Sequence, residues 1–168
     1  MPNYFSDNPD LLYQFERLNL KSIVEIIEDE YKQAEKFDDA PVNYEDAMEN
    51  YRRILEIVGD ISGNYIAPRA AGIDEQGAVF ENGNVTYAKG TQESLEMLSK
   101  AELMGMIIPR RFGGLNFPST IYMMAVEMIS RAEASLMNIF GLQDIAKTID
   151  KFGTRRTARI LSPRFQHW

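Results

Sequence analysis

The stretch Ser119–Gly153, STIYMMAVEMISRAEASLMNIFGLQDIAKTIDKFG, decides the fold. It reads as two consecutive helices. The first, STIYMMAVEMISRAEA, is capped by Ser119 or Thr120; the second, SLMNIFGLQDIAKTIDKFG, is capped by Ser135 and stopped at Gly153. Upstream, IIPRRFGGLNFP is a loop by its Pro and Gly content. TQESLEMLSKAELMGM before it is again helical, with Thr91 as N-cap and Leu95, Leu98 and Leu103 inward.

Further upstream the period changes. AVFENGNVTYAKG places Asn82-Gly83 between two short β-like runs, Ala78–Phe80 and Val85–Tyr87. Asn-Gly tolerates positive φ at both turn positions, so a hairpin is expected. A two-stranded ribbon is marginal alone and is therefore expected to lie on the helices. YEDAMENYRRILEIVGDISGNYIAPRAAGID is the longest helical pattern, with Met48, Tyr51, Leu55, Val58, Ile61 and Tyr65 as its apolar stripe. Gly59 and Gly63 within it each cost about 1 kcal/mol against Ala. They either admit a neighbouring element closely or are simply tolerated. Asn43 is the N-cap expected after Pro41, with Asp46 three positions on. At the start, Asn8-Pro9 signals a helix carrying Leu11, Leu12, Phe15 and Leu18. The pattern continues with Ile23, Ile26, Ile27, Tyr31 and Ala34 on one face. The sum is an all-α domain of about six orthogonal or bundled helices with one short β-hairpin.

Composition narrows the chemistry. The 168 residues hold no Cys and one His, His167, which excludes disulfides, thiolate nucleophiles, a Ser-His-Asp triad and a di-iron ExxH pattern. A formal net charge of −7 repels polyphosphate, so no nucleic-acid partner is expected. No apolar run approaches the ~20 residues of a membrane span. MPNYFSDNPD lacks the basic and apolar regions of a secretory signal, and a cytoplasmic protein is expected.

Individual motifs add little catalysis. FGGLNF lacks a GxGxxG spacing and a preceding strand, so it reads as a tight loop. Glu25, Glu28, Asp29 and Glu30 read as a solvated helix face. Asp74–Gly77 offers too few alternating oxygens for calcium, and no metal site is expected. Met97, Met104, Met106, Met123, Met124, Met128 and Met137 suit core packing, or, for a few, a pocket for a flexible apolar ligand.

Ala101–Thr154 nevertheless resembles the N-terminal helical domain of acyl-CoA dehydrogenases. Four elements occur in that family's order: Leu103–Met106 (LMGM), Pro109–Gly114 (PRRFGG), Val126–Ser135 (VEMISRAEAS, with Glu133 where Asp is usual) and a final Phe-Gly-Thr. The preceding hundred residues resemble the long N-terminus of one subgroup. The organisation expected is an extension over residues 1–40, the family's helical domain over 41–154 and an atypical basic tail over 155–168. The resemblance implies α,β-dehydrogenation of an acyl-CoA thioester with FAD as hydride acceptor, and homo-oligomers among full-length relatives. It places the catalytic base and most FAD contacts in later domains, so no catalytic residue is expected here and FAD is not expected to be retained by this chain alone. It assigns an acyl-pocket wall to Leu136, Met137, Phe140 and Gly141; plain core packing is the alternative.

The tail differs from the rest. Four of the 18 Lys and Arg follow Thr154, but none of the 25 Asp and Glu. Phe165–Trp168, back-translated as TTT CAG CAC TGG and read one base later, gives Phe-Ser-Thr-Gly, as the family would have. A frame slip that truncates the enzyme is thus expected, against a genuine short protein with a basic end. A stand-alone helical interaction or lipid-binding module is the alternative function.

Overall fold

The structure is a computed structural model that describes residues 2–157. The tail beyond Thr157, with His167, Trp168 and the frame-slip reading, lies outside the described residues. The expected all-α architecture with one hairpin is present.

Helix α1 (Pro9–Arg17) starts as its sequence signals: the Asn8 side chain accepts from the N–H groups of Asp10 and Leu11, and Pro9 occupies the first turn. Its Leu11 and Phe15 are buried. The chain turns through extended backbone at Leu18 before α2 (Lys21–Ile27). That turn resets the helical phase, so the expected apolar face is wrong. Ile23 and Ile26 are exposed, Ile26 at 80 %, whereas Val24 and Glu28 face inward. The expected run to Ala34 also ends early. Asp29, Glu30 and Tyr31 all have positive φ, and one 3₁₀ turn, Lys32–Glu35, follows.

Helix α3 (Tyr44–Asp60) is capped by Asn43, which accepts the Asp46 N–H at 2.9 Å; Asp46 in return accepts the Val42 N–H at 3.0 Å. Its stripe, Tyr51, Leu55 and Val58, is buried. Instead of one long helix, the rod widens into a π-helical turn, Ile61–Ile66, then a 3₁₀ turn, Ala67–Arg69, then α4 (Ala70–Gln76). The paired glycines are resolved by what lies on them. A Cβ at Gly59 would meet Asn3 Oδ1 at 2.2 Å, and one at Gly63 would meet the Pro2 carbonyl oxygen at 2.0 Å. The N-terminal segment runs directly over this helix, and Tyr4 N–H donates to the Gly59 carbonyl at 3.0 Å.

Strands β1 (Val79–Glu81) and β2 (Asn84–Thr86) pair antiparallel, Phe80 opposite Val85, around Asn82 and Gly83 at φ 52° and 81°. The ribbon does not lie on the helices as expected: Phe80 is 70 % and Val85 58 % exposed. It projects between α4 and α5 (Lys89–Lys100), which hold each other through Ile73 against Gly90.

Helix α5 begins before Thr91, so Thr91 is a buried first-turn residue and not the cap. Helix α6 (Ser119–Ala132) begins after extended Pro118, so neither Ser119 nor Thr120 caps it; Ser119 Oγ instead accepts from Lys147 Nζ at 3.0 Å. The last expected helix is two, α7 (Ala134–Gly141) and α8 (Gln143–Phe152), and Glu133 rather than Ser135 caps the first. One core joins Phe5, Leu11, Val24, Leu55, Leu98, Leu103, Ile121, Ile129, Leu136 and Phe140. Met104, Met106, Met124 and Met128 belong to it, as core packing requires.

Candidate functional site

Helix α7 carries the four residues assigned to an acyl wall, and its surroundings split them. The Glu133 carboxylate accepts the N–H groups of Ser135 and Leu136 at 2.9 and 2.7 Å, and the Ser135 hydroxyl at 2.9 Å. This closes a sharp α6–α7 junction. Leu136 and Phe140 then point inward and are fully buried. The Phe140 ring stacks on Tyr122 at 5.6 Å, and Tyr122 Oη donates to the Phe140 carbonyl at 2.8 Å. Burial pushes the Tyr122 phenol upward, so it stays a neutral donor.

Met137 and Gly141, four apart, lie on another face. A Cβ at Gly141 would sit 3.9 Å from Met137 Sδ, an ordinary contact, so the glycine is not required for the methionine's position. Met137 reaches a groove of about 710 Å³ between α1 and α6, beside Met123, Met124, Tyr13 and Leu18. The structure thus brings one assigned residue, Met137, to a cavity with two further methionines; Leu136 and Phe140 support the helix from behind.

Gln143 was not singled out from sequence, yet it sets this geometry. It is buried at the first position of α8, where Oε1 accepts the Met106 N–H at 2.8 Å and Nε2 donates to the Leu103 carbonyl at 3.1 Å. Both ends of its amide are spent on the LMGM turn, which pins the α7–α8 corner.

Glu28 corrects the solvated-face reading. It is fully buried and paired with Arg110 Nη1 at 2.5 Å, while Asp39 takes Arg110 Nε at 3.2 Å. Burial lifts the Glu28 carboxyl above its ordinary range, and the Arg110 guanidinium opposes that rise. Glu28 Oε1, Tyr31 Oη and Tyr51 Oη are buried without a hydrogen-bond partner among the described residues. The only sequence signal for this pair was the four-residue step from Val24.

The Gly113-Gly114 turn is consumed by its own backbone. A Cβ at Gly114 would meet the Ile108 carbonyl at 2.2 Å, and the N–H groups of Leu115, Asn116 and Phe117 donate to Gly105, Ile108 and Met106. It is the tight loop expected, with no free amide fan for a phosphate. This turn therefore offers no phosphate cradle of its own.

The helical layers and the RAEAS corner define an all-α domain with one short hairpin. The sequence matches the acyl-CoA dehydrogenase N-terminal domain over residues 48–165, and the chain belongs to the acyl-CoA dehydrogenase family. It is also similar to the 3-methylmercaptopropionyl-CoA dehydrogenase of Ruegeria pomeroyi strain DSS-3, 28 % identical over 95 residues, 56 % of this chain. That match spans 16 % of the relative's length.

Proposed function

We propose that this chain is the N-terminal helical part of a cytoplasmic, flavin-dependent acyl-CoA dehydrogenase and forms one wall of its acyl site. The reaction implied is α,β-dehydrogenation of an acyl-CoA thioester, with FAD accepting the hydride. The chain's own contribution is enclosure. Met137, backed by buried Leu136 and Phe140, presents an apolar surface that excludes water from an acyl chain. The observation that carries this reading is the split of α7, with Leu136 and Phe140 locked inward and Met137 left at a methionine-lined groove. The relative's name specifies a methylmercapto acyl group, a kind of chain that polarizable thioethers accommodate.

The 168-residue chain is expected to be inactive alone and to retain no FAD. Titration of the purified chain with a short thioether acyl-CoA tests the wall. Saturable binding, weakened roughly tenfold by Met137→Lys, is expected, because a charge placed in an apolar groove must be desolvated. Stoichiometric flavin absorbance together with substrate-dependent dye reduction by this chain would refute the inactive reading.

The exposed ribbon favours a second reading, an interaction module that associates with its own kind or with longer relatives. Phe80 and Val85 lie uncovered on an open two-stranded edge. Light scattering of the chain alone and mixed with a longer relative decides it: no association in either removes this reading.

A further inference from the structure

A second cleft lies between the end of α2, the loop after Pro109 and α8, with a cavity volume of about 630 Å³. That is within the size of small-molecule sites. Its apolar lining comes from Ile26, Ile27, Phe37 and Ile107. Its rim is cationic in a chain of formal net charge −7: Lys36, Lys147 and Lys151 line it, and none of the three has an ion pair among the described residues. The other charges there are largely engaged. Arg111 pairs with Asp150, and Arg110 with Glu28 and Asp39, which leaves Asp29 as the opposing carboxylate.

We propose that this cleft binds a small amphiphilic anion, a carboxylate head on an apolar chain, with the head on Lys147 and Lys151 and the chain on Ile26, Ile27 and Phe37. Apolar surface draws the chain, and charge complementarity selects the head's sign. Lys147 is the discriminating residue. It is half-buried, held by Ser119 Oγ at 3.0 Å, and burial lowers its pKa; an anion seated beside it restores the ammonium's partner. The inference does not rest on the acyl-wall reading, because none of these residues is on α7.

Calorimetry with decanoate, decanol and decyltrimethylammonium, all below micellar concentration, tests it on the 168-residue chain. One-to-one decanoate binding is expected, reduced roughly tenfold by Lys147→Gln or Lys151→Gln, as loss of a charge-assisted contact requires. The Lys147 ammonium NMR signal should titrate at higher pH with decanoate present. Lys100→Gln, on α5 and outside the cleft, should leave this binding unchanged. Equal affinity for decanol, preference for the cationic amphiphile, or undiminished binding by the Lys147→Gln/Lys151→Gln double variant overturns the proposal.

Discussion

Glu28 shows how one residue can defeat a local reading. It sits in a run of carboxylates, EIIEDE, and most such runs are solvated; only Arg110, 82 positions away, makes its burial tolerable. Buried pairs contribute little net stability, but breaking one is severe. Arg110→Met should lose about 3–5 kcal/mol in urea denaturation at neutral pH, and Glu28→Gln much less, because it keeps an acceptor without the charge. The sign with pH follows from the direction of the shift. Glu28 is raised above its ordinary 4.5, so the folded protein holds the proton more tightly than the unfolded chain. Its contribution grows as pH falls towards 4.5 and is lost as pH rises through the folded value. The wild-type urea midpoint should therefore decline more steeply with pH than that of Glu28→Gln; parallel curves would refute this. Gly63 was half legible: the i, i+4 glycine pair suggested a close neighbour, but only three dimensions show it to be Pro2. Gly63→Ala gains about 1 kcal/mol of helix propensity, yet its Cβ would need the Pro2 backbone to move, at about 1–3 kcal/mol. Net destabilisation is expected, with faster hydrogen exchange at Tyr4.

Among the elements, helices with a side-chain cap written into the sequence, α1 and α3, start where Asn8 and Asn43 say. Those of α6 and α7 do not, with Ser119 and Ser135 spending their hydroxyls on Lys147 and Glu133, and α5 begins at Lys89, ahead of Thr91. The α7–α8 break was illegible for a related reason. Its cause is Gln143, and nothing local shows a glutamine bonding to a turn 37 residues earlier. Gln143→Leu leaves the Met106 N–H and Leu103 carbonyl unpaired in the core and should lose about 2–5 kcal/mol by thermal denaturation. The ribbon fails in the opposite direction. Its turn and pairing were readable, but its expected packing on helices was not realised. Phe80→Ser with Val85→Thr should then shift stability by under about 0.5 kcal/mol each; a larger loss would mean the ribbon is packed after all.

For the whole molecule, the all-α class followed from helical periodicity, whereas the joining of its ends did not. Phe5, Leu11, Phe15, Leu20 and Val24 lie in the same core as Phe140. Removal of residues 1–40 should therefore abolish a cooperative calorimetric transition rather than trim an appendage. The proposed acyl wall rests on the RAEAS resemblance, because periodicity alone cannot tell a core methionine from a pocket one. The wide turn Ile61–Ile66 has a consequence of its own. Such a turn accommodates one surplus residue without breaking the rod. Because the surplus residue is taken up by widening one turn, excising a single residue there should restore an ordinary α-turn and leave α4 facing the same way, with Ile73 still on Gly90. That wide turn works as slack in the rod, letting its length change by one residue without rotating its second half.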